Sequence, residues 1–331
     1  MKNRVLSFFL FLCVTITHAQ LFSGKVLDIV TNEPLESVSI YFDNTTIGTA
    51  TNDKGEFSIE FTDAVQSTLV VSYLGYEKVF IADYRSKTSI TIFLKESLDQ
   101  LDTVIIDADD GMSRELKMKK FKGEFLGKSK NGQSCKILNE KDIKLRYNKR
   151  DRTITAWSKT PIIVKNRNLR YEISFEIVDF EMTIGNWGAS SVKYTGTSLY
   201  KDLDTKQKKR IVENRVNTYK GSVQHFMRAL YNKELEEKGY IFGVEGFKVN
   251  PYGYFTISNV DDYGHKTIAL KEKLDIFYKD VIESIIQTTV NEFKVDQYGN
   301  YAPIPDVLFG GDMGRQRVGD SLPLDYGFGE D

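Results

Sequence analysis

The sequence predicts an all-β sandwich of about seven strands, followed by an α+β domain with an antiparallel sheet and one or two helices. Three observations carry that expectation. From Phe22 to Lys95, short β-branched or aromatic runs alternate with turn residues at the spacing of a sandwich. Leu98 to Asp110 ends in the charged break Asp107-Ala108-Asp109-Asp110-Gly111. Beyond it, long alternating runs share the chain with one extended stretch of helical periodicity, Thr205 to Lys238. The expected division is a signal peptide at 1–20, the sandwich at 21–97, a linker at 98–110 and the α+β domain at 111–331.

The first twenty residues read as an export signal. Lys2 and Arg4 form a basic start, Val5 to Ile16 an apolar segment, and Thr17-His18-Ala19 a small-residue approach to a cleavage site after Ala19 or Gln20. That segment is shorter than the roughly 20 apolar residues a membrane-crossing helix needs. Cys13 raises the question of lipidation, but Leu10-Phe11-Leu12 places bulky residues where a lipoprotein signal wants small ones. No later stretch is long and apolar enough to span a bilayer as a helix, so no transmembrane segment is expected in the mature chain.

In the sandwich, strands are expected at Phe22 to Val30, Ser37 to Phe42, Ile47 to Thr51, Glu56 to Phe61, Thr68 to Tyr73, Lys78 to Ile81 and Ser89 to Leu94. Pro34 fixes φ in the turn that closes the first hairpin, and Asn52-Asp53-Lys54-Gly55 supplies residues that tolerate left-handed backbone. Strict alternation puts Phe57, Ile59 and Phe61 on the core face.

In the second part, Met118, Phe121 and Phe125 at helical spacing predict a helix over Leu116 to Leu126, stopped by Gly127. Ile143 to Tyr147 and Thr153 to Trp157 read as a hairpin around Asn148 to Asp151. Arg170 to Ile184 alternates, with Tyr171, Ile173, Phe175 and Ile177 on one face before Phe180 and Met182 resume out of phase. A bulge near Val178-Asp179 restores that face. Thr205 to Lys238 carries a stripe from Ile211 to Leu235; Gly221 is a point of breakage and Gly239 the residue just past the helix end. Strands follow around Tyr254 to Val260, Leu274 to Tyr278 and Ser284 to Val295, and the stretch after Pro303 reads as irregular, with Gly310 to Gly314 a loop.

Five segments of the first part, Gly24 to Val26, Pro34 to Ile40, Gly48 to Phe57, Val70 to Tyr76 and Ile90 to Leu94, resemble the carboxypeptidase-regulatory-like domain. The resemblance implies a transthyretin-like β-sandwich, which accompanies catalysis in metallocarboxypeptidases without performing it. It also implies a cell-envelope setting, since such modules precede other envelope domains in certain Gram-negative bacteria. The second part is similar to an uncharacterised region that follows this module in exported bacterial proteins, through Phe125-Leu126-Gly127, Cys135 with Leu138-Asn139, the segment Asn214 to Phe226, and Leu322 to Tyr326. No activity comes with either likeness.

The enzyme behind the family name is not expected. A metallocarboxypeptidase holds zinc with His and Glu on one turn, whereas His225 and His265, the two histidines after the signal, are followed by Phe-Met-Arg and Lys-Thr-Ile. No metal and no cofactor is expected. A TonB-dependent receptor is not expected, since the residues after Gly111 are few for its barrel and contain helical runs. Cys135 is the one thiol after the signal, so no disulfide can form within the mature chain, and it reads as a small buried hydrophobe.

Charge is unevenly distributed. Gln20 to Asp110 carries six basic and sixteen acidic residues while the whole chain has a net charge of −1, so the second part is basic. For an exported protein this points away from nucleic acid and toward an envelope component, whether protein, glycan or lipid.

The densest polar and aromatic grouping is Asn214-Arg215, Tyr219, Gly221-Ser222 and His225-Phe226. Arg215, Tyr219 and His225 are the candidate binding residues. The leading expectation is a non-catalytic exported cell-envelope protein, periplasmic or outer-membrane associated, that binds or scaffolds through its C-terminal part. Two alternatives stand beside it. One is a hydrolase with Ser222 as nucleophile and His225, three residues on, as base; the other is an envelope sensor acting with a membrane partner.

Overall fold

The computed structural model describes residues 20–61, 67–87, 89–97, 110–186, 188–279 and 282–327. The expected signal peptide and most of the expected linker lie outside the described residues. The hydrophobic residues form three separate cores.

The first core is closed by seven strands: β1 (Gln20–Asp28), β2 (Ser39–Phe42), β3 (Gly48–Ala50), β4 (Glu56–Phe61), β5 (Leu69–Ser72), β6 (Val79–Ile81) and β7 (Ser89–Leu94). They form two sheets, ordered β4-β1-β7 and β3-β2-β5-β6. All pairs are antiparallel except β1 with β7. Phe57, Ile59 and Phe61 face inward as their alternation requires, against Phe22, Val26, Phe42 and Leu69. Tyr84 fills one end between the rings of Phe42 and Phe61, at 5.0 and 5.2 Å. The Asn52 turn forms as expected: the Asn52 side-chain oxygen accepts from Lys54 and Glu56 N–H, and Gly55 has φ of 71°. A Cβ there would sit 2.5 Å from the Val26 carbonyl oxygen, so glycine is required twice over.

The second core is built from α1 (Arg114–Phe125), α2 (Lys130–Ser134), β8 (Cys135–Ile137), β9 (Lys144–Asn148), β10 (Thr153–Trp157), β11 (Ile162–Asn166), β12 (Tyr171–Gly185) and β13 (Gly188–Asp202). The strand β12 organises this sheet. One edge holds β11 against residues 171–175 and β10 against residues 181–183, while β13 runs along the other edge. The register slips by one residue between Ile177 and Asp179. Phe180 and Met182 thereby return to the buried face beside Phe121 and Phe125 of α1.

Beside the second core runs α3 (Lys209–Tyr219), whose Tyr219 packs against it. The third core holds α4 (Val223–Asn232), β14 (Tyr240–Val244), β15 (Phe247–Val249), β16 (Phe255–Ile257), β17 (His265–Leu270), β18 (Leu274–Tyr278), β19 (Ile282–Thr288), β20 (Phe293–Asp296), β21 (Tyr301–Ala302), β22 (Val307–Gly310) and α5 (Gly311–Gly314). Its sheets run β15-β14-β18-β19-β22 and β16-β17-β20-β21. Among them α4 buries nearly its whole length, from His225 to Tyr231.

Several expectations are corrected. Five helices are present among the described residues where one or two were expected: the stretch Thr205 to Lys238 divides at Gly221 into α3 and α4, and α2 and α5 are single turns of five and four residues without a stripe to read. The helical stretch ends at Asn232, not at Gly239: Lys233 takes φ of 60° and its N–H closes the helix on the Ala229 and Leu230 carbonyls. The run Ser284 to Val295 is two strands in different sheets, β19 and β20. Gly310 to Gly314 is no loop, since Met313 is buried and its N–H is held by Ser284 Oγ at 3.1 Å.

The three cores are joined by polar contacts. Asn44 N–H donates to the Ser198 carbonyl (2.8 Å), and Tyr200 N–H to the Thr45 carbonyl (2.9 Å), extending the β13 edge into the first core. Glu176 on β12 is buried there and accepts from Tyr41 Oη, Ser72 Oγ and Lys78 Nζ at 2.8–2.9 Å. The C-terminal segment then crosses all three units. Val318 and Leu322 enter the second core, Leu324 N–H donates to the Asn44 carbonyl, and Arg228 of α4 donates to the Leu324 and Tyr326 carbonyls.

Candidate functional site

Gly221, at φ of 77°, turns the chain between α3 and α4 and puts extended residues on either side of itself. Ser222 therefore becomes the N-cap of α4, and its Oγ accepts the His225 main-chain N–H at 3.1 Å. The His225 ring turns elsewhere. Its Nδ1 faces the Gly221 N–H at 3.2 Å and the Tyr240 hydroxyl at 2.8 Å. A ring nitrogen that meets a main-chain N–H is an acceptor, so the proton sits on Nε2 and Tyr240 donates. Burial, aided by the charges of Lys238, Arg228, Lys220 and Lys279, pulls the imidazole down from 6.5 to about 4. The ring is neutral at pH 7.

Arg215 is equally committed. Its guanidinium grips Asp202 through both terminal nitrogens at 2.7–2.8 Å, donates from Nε to the Leu169 carbonyl at 2.9 Å, and lies 3.9 Å above the Tyr171 ring. Tyr219 packs edge-on against His225 and accepts from Arg228 Nη1 at 3.2 Å. The structure thus brings Tyr219, Ser222 and His225 together, while Arg215, one turn before Tyr219 on α3, is taken up by Asp202, Leu169 and Tyr171 of the second core. The buried cation of this region is Arg228, which the sequence analysis did not single out. It holds the carbonyls of Tyr298, Leu324 and Tyr326, and no local signal distinguishes it from a solvent-facing helix arginine.

A different face of α3 borders a hollow. A cleft of about 840 Å³ lies between the end of α1, the start of α2, Asn168, the outer face of α3 and the segment after α5. Its floor is a chain of amides and hydroxyls. Asn214 Nδ2 donates to Asn168 Oδ1 at 3.0 Å, Asn168 Nδ2 to Asn131 Oδ1, and Asn131 Nδ2 to Thr218 Oγ1 at 2.9 Å and Asp320 Oδ1 at 3.2 Å. Lys128 pairs with Glu124 at 2.6 Å and Arg315 with Asp312 at 2.7 Å. Among the described residues, Lys130 Nζ, the Asn217 amide and Gln316 Nε2 have no hydrogen-bond partner, and Arg317 Nε is buried without one. No apolar side chain lines the cleft. A second hollow of about 480 Å³ shares Asp312 and Arg315 with it. Of the polar and aromatic grouping Asn214-Arg215, Tyr219, Gly221-Ser222 and His225-Phe226, Asn214 alone reaches this cleft. Asn217 and Thr218 join it from the same helix, and the rest of the lining comes from three distant stretches, 123–131, Asn168 and 312–320.

Cys135 lies close behind. Its Sγ contacts the Asn131 carbonyl at 3.3 Å, and burial together with Asp320 raises the thiol to about 12, so it remains protonated. Among the described residues no group of three or more His, Cys, Asp or Glu is placed to hold a metal ion.

Comparison with known proteins adds the following. Residues 22–106 match the CarboxypepD_reg-like domain family, a span that covers the first core and runs on into the expected linker. Among curated proteins none matches the chain. Among solved structures, a 9R-lipoxygenase from Cyanothece PCC8801 aligns at 11% identity and a TM-score of 0.20, over 64% of this chain and 48% of that one. The chain spans about half the length of that enzyme, and a likeness at that score carries no argument.

Proposed function

We propose that this chain is an exported, non-catalytic binding or scaffold protein of the cell envelope, and that it binds through the polar cleft of its C-terminal part. The carrying observation is the cleft itself, whose amide floor is bonded to itself while Lys130, the Asn217 amide and Gln316 Nε2 on its walls meet no protein partner among the described residues and Arg317 Nε is buried without one. Side chains ordered by one another and still offering donors are pre-organised for a polar ligand. Around it, the first core is a transthyretin-like sandwich that serves as a docking platform, held to the second core through Glu176.

The hydrolase alternative loses support from the same geometry. A Ser222 nucleophile needs its Oγ on the His225 ring, but that oxygen caps α4 and the ring nitrogen is taken by Gly221 and Tyr240. Among the described residues no helix is long and apolar enough to cross a membrane, so a sensor role requires a membrane partner.

Pulldown from intact envelope with the full chain tests the reading. Capture is expected to survive Ser222→Ala, which removes a cap worth about 1 kcal/mol of stability, and to be lost on Lys130→Gln combined with Asn217→Ala. Capture that disappears with Ser222→Ala in a folded protein, or persists without the two cleft residues, overturns it.

A further inference from the structure

The cleft states the chemistry of what it would hold. Its three carboxylates, Glu124, Asp312 and Asp320, face four cations, and two of those cations are already neutralised by Glu124 and Asp312. Asp320 is engaged by Ser129 Oγ and Asn131 Nδ2, which leaves the charges of Lys130 and Arg317 without an ion-pair partner among the described residues. The charge left unpaired on the walls is thus positive, and Gln316 Nε2 adds a donor beside it. The complementary ligand is therefore rich in acceptors and carries negative charge.

Its remaining character follows from what the lining lacks. Without an apolar side chain there is no place for an acyl chain or for the anchoring side chains of a peptide. Without an aromatic ring there is no platform for a nucleobase. The amides of Asn131, Asn168, Asn214 and Asn217 each present donor and acceptor in one plane, the complement of a hydroxyl that both donates and accepts. The second hollow shares the Arg315–Asp312 pair but adds Glu283 and Ile285, so an anionic ligand is confined to the first.

Resting on the reading of the cleft as the binding site, we infer that the ligand is an anionic glycan, a hydroxyl-rich sugar chain bearing carboxylates. Its carboxylate meets Lys130 and Arg317, and its hydroxyls meet the asparagine floor.

Titration calorimetry on the full chain tests this with three probes: an unbranched hexamer of a uronic acid, a neutral glucose hexamer, and inorganic phosphate. The acidic hexamer is expected to bind at least about tenfold more tightly than either of the others, and to weaken with added salt. Lys130→Gln with Asn217→Ala, both exposed positions, is expected to lower that affinity by about tenfold or more, whereas Lys144→Gln, exposed on β9, leaves it unchanged. Equal binding of the two hexamers, still lost in the cleft variant, overturns the anionic assignment and leaves the cleft as the site. Acidic-hexamer binding that ignores the cleft variant overturns the site as well. Phosphate matching the acidic hexamer reduces the cleft to a simple anion site, and no binding by any probe refutes the glycan assignment, while envelope capture through Lys130 and Asn217 separately decides the cleft.

Discussion

His225 accepts from Gly221 N–H and the Tyr240 hydroxyl on one nitrogen, with the rings of Tyr219 and Tyr278 edge-on at 4.9 and 5.4 Å. Protonating that nitrogen would replace an acceptor with a donor facing two donors, in a site already desolvated. Its folded pKa of about 4 lies below the ordinary 6.5, so the unfolded chain takes up the proton first. Stability from this group is complete above about pH 6.5 and declines as pH falls toward 4. Asp43 and Asp296, each raised by burial from 3.8 to about 6, act in the opposite sense: their contribution is present below 3.8 and lost as pH rises through about 6. Thermal melts of wild type against His225→Phe isolate the imidazole. The variant is expected to be less stable at pH 7, because Tyr240 and Gly221 lose their acceptor, yet flatter between pH 6.5 and 4. A variant that keeps the wild-type slope would show that the histidine is not what titrates. The local string Gly-Ser-x-x-His was legible as a polar cluster, and Gly221 as a break. That the serine caps rather than attacks depends on the φ of Gly221, which residue spacing does not reveal.

At the scale of elements, strands and helices were legible where one face alone is buried. Phe57, Ile59 and Phe61 announce β4, and the phase change between Ile177 and Phe180 announces the bulge in β12. Deleting Val178, the residue that β13 leaves unpaired, is expected to remove the slip and keep Phe180 and Met182 inward, because the remaining residues alternate without a break, so the cooperative near-ultraviolet melt is retained. A deletion mutant that loses that melt would mean that the bulge itself is required for the second core. The elements that escaped notice share a cause. The strand β17 is largely half-buried, from His265 to Thr267, and gains its register from β16 and β20. The single turns α2 and α5 are held by Gly132 and Gly314, where a Cβ would lie 2.3–2.4 Å from a carbonyl oxygen of another segment. Close backbone approach of that kind leaves glycine in the sequence but not the identity of what approaches.

At the scale of the whole molecule, the acidic first part and the basic second part meet through few charges. Glu176 gathers Tyr41, Ser72 and Lys78 from the first core, while Asn44 and Thr45 add main-chain bonds to Ser198 and Tyr200. Replacing Glu176 with Ala takes the acceptor from Ser72 and from the charged Lys78, while Tyr41 keeps Thr197, at a cost of about 3 kcal/mol. The expected outcome is faster limited proteolysis between the first and second cores, with the sandwich itself still folded; unchanged cleavage would assign the docking to the main-chain bonds alone. The sequence by itself determined the sandwich, the long bulged strand and the helix break, because each is written in the period of side chains along one segment. The tertiary structure alone decided that Ser222 is a cap, that Arg228 is buried, and that Lys130, Asn168, Asn217 and Arg317 face one cleft. Those facts depend on which distant segments approach each other, and neither spacing nor composition encodes that distance.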